Sequence, residues 1–600
     1  MLRRLPVLLA LLILLVAIPW KAMRLIPRLL HRAQTPSELF SRPPRYEQYL
    51  QLRLESAKEL GAARLRPEYQ EAAAQIRQSA QQPDAEASRV IPTRLQGTTA
   101  LVTDRNTRWQ PERVTLISEF RVDLAGPSTD STCSLQDTPA ARLVNSWIRE
   151  GSAAGHHGIL YDNRDRGHST LERAQWPELA FVRYSPEIRA AGGDFGFRPW
   201  QRFNLPTFGN ASTALVNPVF WRSNPRAMLG NQLHATLMLE HYLSNQLYCT
   251  PEHNDFDAPH GDVYPANAPC WIISQGSSGS DQPFLRAIAL TLAAFPPETR
   301  SRLEGEGVLM HAVQWVLRQS QRSVRTADDF FTGFAHPAVF REQQLDVERM
   351  VRLAHEMSVD RMPPLVRLQV VEESKATHGV HYFSGGPGEE LLTHPLLVAR
   401  IHRTVARKRR MLVQASATSS VQPHSNFRWV VLQGDPASVE IRPLNPEASV
   451  ATVTFNWQPT HTVTSAPELS CSRVDIGVFT EANGVPSMPA MICSLAIPAE
   501  ERVYAGDRLV SVDYADPKTS QLYCDPLLVP VRNWKDTYQY DSTGRVSGWT
   551  RTTPGQQPQQ FNAAGELVSE SGGTAAVPRS VQYRLQEAPE KRSVLLWEPR

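Results

Sequence analysis

A serine inside a glycine-rich turn is the first group in this sequence whose surroundings suggest chemistry. Residues 276–280 (GSSGS) follow a short apolar run and have the spacing of a nucleophile elbow, with a serine in place of the second glycine. A sharp turn there would expose the hydroxyl of Ser278, and amides of the following helix could stabilise an oxyanion. The required base would be His336, with Asp329 or Asp328 orienting it. The sequence therefore offers a serine-type hydrolase site, although Ser278 and His336 lie closer in the chain than is usual in α/β-hydrolases.

The same loop is also compatible with two non-catalytic roles. Backbone amides at the start of a helix bind anions without catalysis, and Gly276, Ser277, Ser280 and Asp281 would then contact a ligand. Alternatively, Ser280 or Asp281 is only the N-cap of an ordinary helix that carries Pro283 in its first turn. The sequence therefore leaves three roles open for this loop: a catalytic nucleophile, a ligand-binding site or a helix N-cap.

A second polar cluster precedes this loop. His253, Asp255, Asp257 and Asp262 follow one another within a short, proline-flanked segment. Alternating aspartates can turn two carboxylates to one side of a loop for calcium, whereas histidine with carboxylate suits a transition metal. The cofactor is unknown, and a divalent metal such as calcium is the candidate. Because aspartate is also a common turn former, turn chemistry is the alternative.

A third cluster surrounds a short strand. Asp162, Asp165 and His168 lie in the segment YDNRDRGHST, and a strand end that carries Asp, Arg and His is a good place to bind a polar ligand. The alternative is that the acids pair with Arg164 and Arg166 across a loop. Convergence of the three clusters in one pocket would favour a binding or catalytic function, and their dispersal would favour a scaffold.

The predicted fold class is multidomain. Residues 90–364 alternate strand and helix patterns, which predicts an α/β or α+β main domain. Residues 365–505 are rich in Val, Thr, Ser and Ile with alternating apolar positions, which predicts an immunoglobulin-like β-sandwich. Residues 506–600 predict a C-terminal β-hairpin tail, and residues 33–89 predict a helical stalk or linker.

The N-terminus predicts a membrane anchor. Arg3 and Arg4 precede the uncharged run LPVLLALLILLVAIPW, and more basic residues follow it up to residue 32. The run has no convincing cleavage site after it, so we expect an uncleaved single-pass signal-anchor, with a cleaved signal or an interfacial helix as alternatives. The membrane would then be a partner through this segment, and the body would be periplasmic or extracellular.

Charge and cysteine content agree with export. The chain carries 63 Lys and Arg against 60 Asp and Glu, and residues 1–32 hold basic but no acidic side chains, so the body is faintly acidic. A faintly acidic body argues against nucleic-acid binding. There are six cysteines and no C-x-x-C. An even count in an exported chain suggests disulfides, with Cys249–Cys270 and Cys471–Cys493 as local pairs, or else buried free thiols.

Three resemblances add to this interpretation. Residues 411–455 (MLVQASATSS, FRWVVLQGDP, SVEI and ATVTF) resemble a PKD-type domain, which implies a spacer or adhesion module with Trp429 in its core. Residues 538–550 (YQYDSTGRVSGWT) and 560–567 (QFNAAGEL) resemble a YD repeat. The segments YDNRDRGHST and QGSSGSDQPF resemble an uncharacterised bacterial envelope protein family, from which no activity carries over.

Two functions remain open at this stage. In the first, the main domain binds or hydrolyses an unidentified polar substrate, by a serine-type or metal-assisted route, with the β modules as accessory spacers. In the second, the chain is a non-enzymatic cell-envelope adhesion or scaffold protein. A carbohydrate or an envelope protein would be the partner.

Overall fold

The computed structural model describes the chain from residue 91 onward with several gaps. The described ranges are 91–95, 98–110, 115–122, 131–190, 193–196, 198, 201–211, 232–252, 267–383, 388–418, 426–496, 500–514, 532–570, 577–586 and 594–600. The predicted anchor and stalk, residues 1–89, lie outside these ranges. Among the helices that the structure does describe, none is long and apolar enough to cross a membrane.

Strands dominate the described chain. Among the residues that the structure describes there are 32 strands against seven α-helices, so the predicted fold class, with its α/β or α+β main domain, sandwich and hairpin tail, is wrong. The strands dominate because the described elements after residue 364 are nearly all strands, and their arrangement into sheets is set by register and turn geometry, which the local sequence pattern does not specify.

The described residues of the first part of the chain form eleven strands and the seven described α-helices. The strands are β1 (Thr93–Arg94), β2 (Thr99–Val102), β3 (Thr107–Gln110), β4 (Thr115–Ser118), β5 (Phe120–Arg121), β6 (Leu160–Arg164), β7 (Ala180–Tyr184), β8 (Gln201–Phe203), β9 (Thr207–Ala211), β10 (Gln246–Pro251) and β11 (Trp271–Ser274). The helices are α1 (Pro139–Arg149), α2 (Pro186–Ala190), α3 (Gln232–Tyr242), α4 (Gln282–Ala294), α5 (Pro297–Gly305), α6 (Leu309–Gln319) and α7 (Val347–His355).

A six-stranded sheet organises this part. Its order is β11-β10-β9-β6-β7-β2, and every pair in it is parallel. Its strands are buried almost throughout, as expected for a parallel sheet covered on both faces. The apolar helix α4 is buried along most of its length and packs against α1, α6 and α7. Two small sheets, β3-β4-β8 and β1-β5, also belong to this part of the chain.

The middle of the chain forms two larger sheets. Its strands are β12 (Leu365–Glu373), β13 (Glu390–His394), β14 (Leu397–His402), β15 (Lys408–Thr418), β16 (Arg428–Gln433), β17 (Val439–Pro443), β18 (Val450–Asn456), β19 (His461–Val463), β20 (Ala466–Cys471), β21 (Arg473–Phe479), β22 (Glu481–Ala482), β23 (Val485–Pro486) and β24 (Ala490–Ala496). The sheets β12-β15-β18-β17 and β13-β14-β24-β21-β16 share a hydrophobic core. This content is compatible with an immunoglobulin-like fold, but β14 and β24 pair in parallel and Trp429 is only partly buried at the edge of the core.

The C-terminal part is a sheet rather than a hairpin. Its strands are β25 (Glu501–Ala505), β26 (Arg508–Asp513), β27 (Lys535–Tyr540), β28 (Val546–Thr552), β29 (Gln559–Asn562), β30 (Leu567–Glu570), β31 (Val581–Gln586) and β32 (Val594–Pro599). Strands β25 to β30 form one antiparallel sheet in chain order, and β31 pairs with β32. Its aromatic core surrounds a buried ion pair between Arg551 and Asp536.

Neither predicted disulfide forms. Cys133, Cys249, Cys471 and Cys493 are buried free thiols, so Cys249 is not joined to Cys270, nor Cys471 to Cys493. Burial raises the pKa of the Cys133 thiol to about 12 and that of Cys249 well above its usual value. These thiols act as small apolar groups of the core, the alternative that the sequence had left open. Cys524 lies outside the described residues.

Candidate functional site

The polar residues of the main sheet gather at the carboxyl ends of its strands. The chain runs from β6 to β7 on one side and then crosses to β9 on the other side of β6. Connections therefore leave the carboxyl ends of β6 and β9 in opposite directions, and such a switch point is where ligands bind in open parallel sheets. Both clusters that the sequence singled out and the structure describes, residues 161–170 and 275–281, follow strands at this edge.

Asp162 on β6 is the centre of a buried polar network. Its Oδ1 accepts a hydrogen bond from the Tyr184 hydroxyl at 2.8 Å, and its Oδ2 accepts one from the Tyr248 hydroxyl at 2.8 Å. The Nε of Arg164 donates to the same Oδ2 at 2.8 Å, and the side chains of this ion pair are almost fully buried. Because both carboxylate oxygens already accept protein donors, Asp162 joins β6, β7 and β10 instead of facing a ligand.

Gly209 on β9 makes this network possible. It lies between Asp162 and Tyr248 in the strand register. A Cβ at this position would lie 1.9 Å from the Asp162 carbonyl oxygen and 3.2 Å from Cε1 of Tyr248. Only glycine therefore leaves room for the close approach of the two strands and for the Tyr248 ring.

Asn163 and Asn210 fix the turn that follows β6. The Oδ1 of Asn163 accepts hydrogen bonds from the amides of Asp165 and Gly167. The side-chain amides of Asn163 and Asn210 both donate to the carbonyl of His168, at 3.0 Å and 2.9 Å. The turn is strained, because Arg166 and Ser169 both have a φ of +52°. Hydrogen bonds from residues of β6 and β9 stabilise this strained turn.

Two carboxyl groups, Asp165 and Asp281, come together beside this turn. Asp281 occupies the N-cap position of α4 but caps no amide; its Oδ1 accepts a hydrogen bond from the Ser169 hydroxyl. Its Oδ2 is buried and makes no hydrogen bond of normal geometry to the described residues, although the nearby Asn210 side chain lowers the pKa of the carboxyl. Burial raises the pKa of Asp281. The hydrogen bond from Ser169 lowers this pKa but does not cancel the effect of burial. The two polar segments thus converge, and Gln282 also donates to the carbonyl of Thr170.

The pKa of Asp165 is raised to about 6. Burial is the largest cause; the Asp281 carboxylate raises the pKa further, while the nearby His168 lowers it. His168 is mostly exposed, and its Nδ1 lies 3.9 Å from the Asp165 Oδ2. Asp165 thus titrates near the pH at which a general acid or base is most effective.

Glu252 is a third carboxyl group, which sequence reasoning missed. It follows β10 and is buried, and its Oε1 accepts a hydrogen bond from the Gly276 amide at 2.7 Å. Burial raises the pKa of Glu252 to about 7, against lowering contributions from the Gly276 amide and Arg341. The available signal was its position directly after an apolar run, at the edge where the other polar residues meet.

Among the described residues, the loop 275–281 makes no hydrogen bond to His336 or Asp329. Ser277 and Ser278 are exposed, while the Ser280 hydroxyl lies 2.8 Å from that of Ser274. His336 is buried, its Nε2 lies 2.7 Å from the Phe330 carbonyl, and burial lowers its pKa well below the usual value. The Asp329 Oδ2 accepts hydrogen bonds from two amides of its own turn. Within the part of the chain that the structure describes, Ser278, His336 and Asp329 are not joined by hydrogen bonds, so the serine triad stays a prediction.

The predicted metal loop cannot be placed at this edge. His253, Asp255, Asp257 and Asp262 lie outside the described residues. Within the described ranges, no group of three or more His, Cys, Asp or Glu side chains is arranged to hold a metal ion. The metal site stays a prediction of the sequence.

Comparisons with known proteins add little to this geometry. No protein-family model matches the chain, and no curated protein matches it. Among solved structures, the chain is similar to a nucleoside hydrolase-related hypothetical protein from Saccharophagus degradans that is associated with carbohydrate metabolism. The identity is 10%, the match covers 48% of this chain and 71% of that chain, and the TM-score is 0.16. A likeness at that TM-score carries no argument.

Proposed function

We propose that the carboxyl edge of the parallel sheet binds a neutral, hydroxyl-rich substrate and hydrolyses it with carboxyl groups instead of a serine nucleophile. The observation that supports this most directly is the pair formed by Asp165 and Asp281. Asp281 has a buried carboxylate oxygen that makes no hydrogen bond of normal geometry to the described residues, and Asp165 has a pKa of about 6.

The charges at this edge favour a neutral substrate. When they are ionised, Asp165, Asp281 and Glu252 repel anions, whereas a substrate hydroxyl can donate to a carboxylate oxygen that makes no hydrogen bond of normal geometry to the described residues. A buried acceptor without a donor costs about 1–3 kcal/mol, so a hydroxyl at the Asp281 Oδ2 would recover that cost on binding.

The same carboxyl groups suit acid–base hydrolysis. A general acid must hold its proton near neutral pH and a base must be able to accept one, and pKa values of about 6 and about 7 allow both. Asp165 would donate a proton to the leaving oxygen, Glu252 would accept a proton from the water that attacks the broken bond, and Asp281 would orient the substrate. The sandwich and the C-terminal sheet would act as accessory modules; the extracytoplasmic location and a carbohydrate or envelope-protein partner stay predictions.

Saturation-transfer NMR on the full chain tests the binding step. The panel contains neutral methyl glycosides and oligosaccharides beside matched sugar phosphates. We expect a neutral member to bind, the phosphates to bind more weakly, and Asp281→Asn to lose binding, because Asn keeps the Ser169 acceptor but removes the charge. Ser277→Ala, an exposed position at the same edge, is the control. Preferred binding of the phosphates, or unchanged binding by folded Asp281→Asn, contradicts the proposal.

A further inference from the structure

A buried arginine links the middle sheets to the C-terminal sheet. The Nη1 of Arg502 on β25 donates to the Thr404 carbonyl at 2.8 Å, in the loop between β14 and β15. Glu500 pairs with the same guanidinium at 2.9 Å. A second segment of the middle part, residues 377–383, ends in Phe383, which belongs to the aromatic core of the C-terminal sheet. Residues 377–383, residues 402–407 and β25 thus form a junction between the two parts.

His381 holds the first segment of the junction only in its neutral form. Its Nδ1 accepts a hydrogen bond from the Thr377 amide at 2.7 Å, and its own amide donates to the Thr377 carbonyl at 2.8 Å. A protonated imidazole carries a hydrogen on both ring nitrogens, so its Nδ1 can no longer accept. Protonation of His381 therefore sets two donors against each other and weakens the turn that leads to Phe383.

His402 is buried in the second segment of the junction. Its Nε2 lies 3.2 Å from the Ala406 carbonyl, and its own carbonyl oxygen lies 3.5 Å from the Nη2 of Arg502. Burial lowers the pKa of His402 to about 3, and Arg502 is the next largest cause. The ring is therefore neutral while the junction is closed, because a second buried positive charge beside Arg502 would be costly.

The surroundings of the two imidazoles compensate little for an added proton. The charged groups that face one ring or both are Arg409, Arg502, Glu389 and Glu500. Glu389 already accepts hydrogen bonds from two backbone amides and pairs with Arg409, and Glu500 pairs with two arginines. Burial lowers the pKa of His381; Glu389 raises this pKa, and Arg502 lowers it. Arg502 thus opposes a proton on either ring.

We propose that protonation of His381 and His402 releases Arg502 from the loop after β14 and opens the junction at mildly acidic pH. An open junction exposes both rings, so their pKa returns toward 6.5 and the open form binds more protons than the closed one. The stability of the closed junction is therefore complete above that pKa and falls as the pH drops below it. This device does not depend on the proposed hydrolysis.

Hydrogen–deuterium exchange of the full chain at about pH 7.5 and about pH 5.5 tests this device, with labelling times corrected for the intrinsic pH dependence of exchange. We expect amides of the junction to exchange roughly tenfold faster or more at the lower pH, because His402 alone raises the open fraction by about that factor. Peptides from β9 and β10 are the internal reference. They should change less, since Asp165 and Glu252, with pKa values of about 6 and about 7, stabilise the main sheet as they take up protons.

A double variant, His381→Asn with His402→Gln, removes both titrations but keeps the hydrogen bonds. The Asn oxygen can accept from the Thr377 amide, and the Gln amide can donate to the Ala406 carbonyl. This variant should stay closed at both pH values. His461→Gln, which changes a half-buried histidine of β19, is the matched control and should open like the wild type.

Three results would overturn the proposal. They are wild-type junction amides that exchange no faster at the lower pH, an equal rise in the β9 and β10 peptides, and a folded double variant that opens like the wild type. The first two are measured on the wild type alone, so they decide the question even where the double variant does not fold.

Discussion

The Ser169 hydroxyl donates a hydrogen bond to the buried carboxylate of Asp281, across 112 positions of sequence. This contact joins the turn after β6 to the start of α4. It brings together two polar segments that the sequence had marked separately, and the second oxygen of Asp281 is buried without a hydrogen bond of normal geometry to the described residues.

Ser169→Ala should destabilise the protein mainly at neutral and higher pH. The pKa of Asp281 is raised in the fold, so its burial costs stability as the pH rises through that pKa and the carboxyl ionises. The Ser169 hydrogen bond stabilises the ionised form, and its loss should cost about 1.5–3 kcal/mol there and much less in acid. Urea unfolding at neutral pH and in acid measures the free energy of unfolding under the two conditions. An equal loss of stability at the two pH values, or an equal loss in the exposed Ser277→Ala control, would refute this prediction.

Glu252→Gln should make the protein more stable above neutral pH. The pKa of Glu252 is raised from 4.5 to about 7, so the wild type loses stability as the pH rises through 7, when the buried carboxyl ionises. Glutamine keeps an acceptor for the Gly276 amide without the charge. We expect the free energy of unfolding to rise by roughly 1–3 kcal/mol at about pH 8, and this gain should vanish below about pH 4.5. Denaturant unfolding at a series of pH values measures it. The exposed Glu178→Gln should show no such gain; a loss at high pH would show that the charge is compensated.

Gly209→Ala should disrupt the main sheet. The added Cβ would lie 1.9 Å from the Asp162 carbonyl oxygen and 2.8 Å from its carbon, and these backbone atoms cannot move without parting β6 from β9. We expect a loss of more than about 3 kcal/mol in the free energy of unfolding, or no folded protein. Gly305→Ala meets no atom within 4 Å and should change stability by less than about 1 kcal/mol. Similar unfolding curves for the two variants would refute the predicted clash.

Arg318→Met should stabilise the protein. Arg318 is fully buried in the last turn of α6, and its Nε, Nη1 and Nη2 have no hydrogen-bond partner among the described residues. Burial lowers its pKa to about 10, and the Phe340 ring at 4.9 Å is a weak compensation. A methionine of similar length removes the buried charge, so we expect a gain of about 1–3 kcal/mol in denaturant unfolding.

The exposed Arg286→Met is the control for this change and should be close to neutral. A folded Arg318→Met variant that is less stable than the wild type would show that Arg318 has a counter-ion in solution.

The sequence identified part of the site because its signals are local. Asp165, His168 and Asp281 were predicted from polar residues at strand ends, and the structure places them at one edge. The sequence could not show that both carboxylate oxygens of Asp162 already accept hydrogen bonds, because the donors Tyr184 and Tyr248 lie 22 and 86 positions away in the chain. Glu252 was missed for the same reason, since its partner amide belongs to the next strand connection.

The serine hypothesis shows the same limit. The local pattern around Ser278 gives a turn before a helix, and the structure has that turn, with Gly276 at a φ of +125°. A nucleophile also needs a base that arrives from elsewhere in the chain, and sequence order alone suggested His336. Its buried ring is bonded to the Phe330 carbonyl instead, a contact that no spacing rule predicts.

The measurement that tests the central claim most directly compares hydrolysis of the best-bound neutral glycoside by the wild type, Asp165→Asn and Ser278→Ala. The account predicts that Asp165→Asn lowers kcat/KM by roughly 100-fold or more, while Ser278→Ala keeps wild-type activity and no fluorophosphonate label attaches to the protein. Loss of activity in Ser278→Ala, together with fluorophosphonate labelling of the wild type at Ser278, would contradict it.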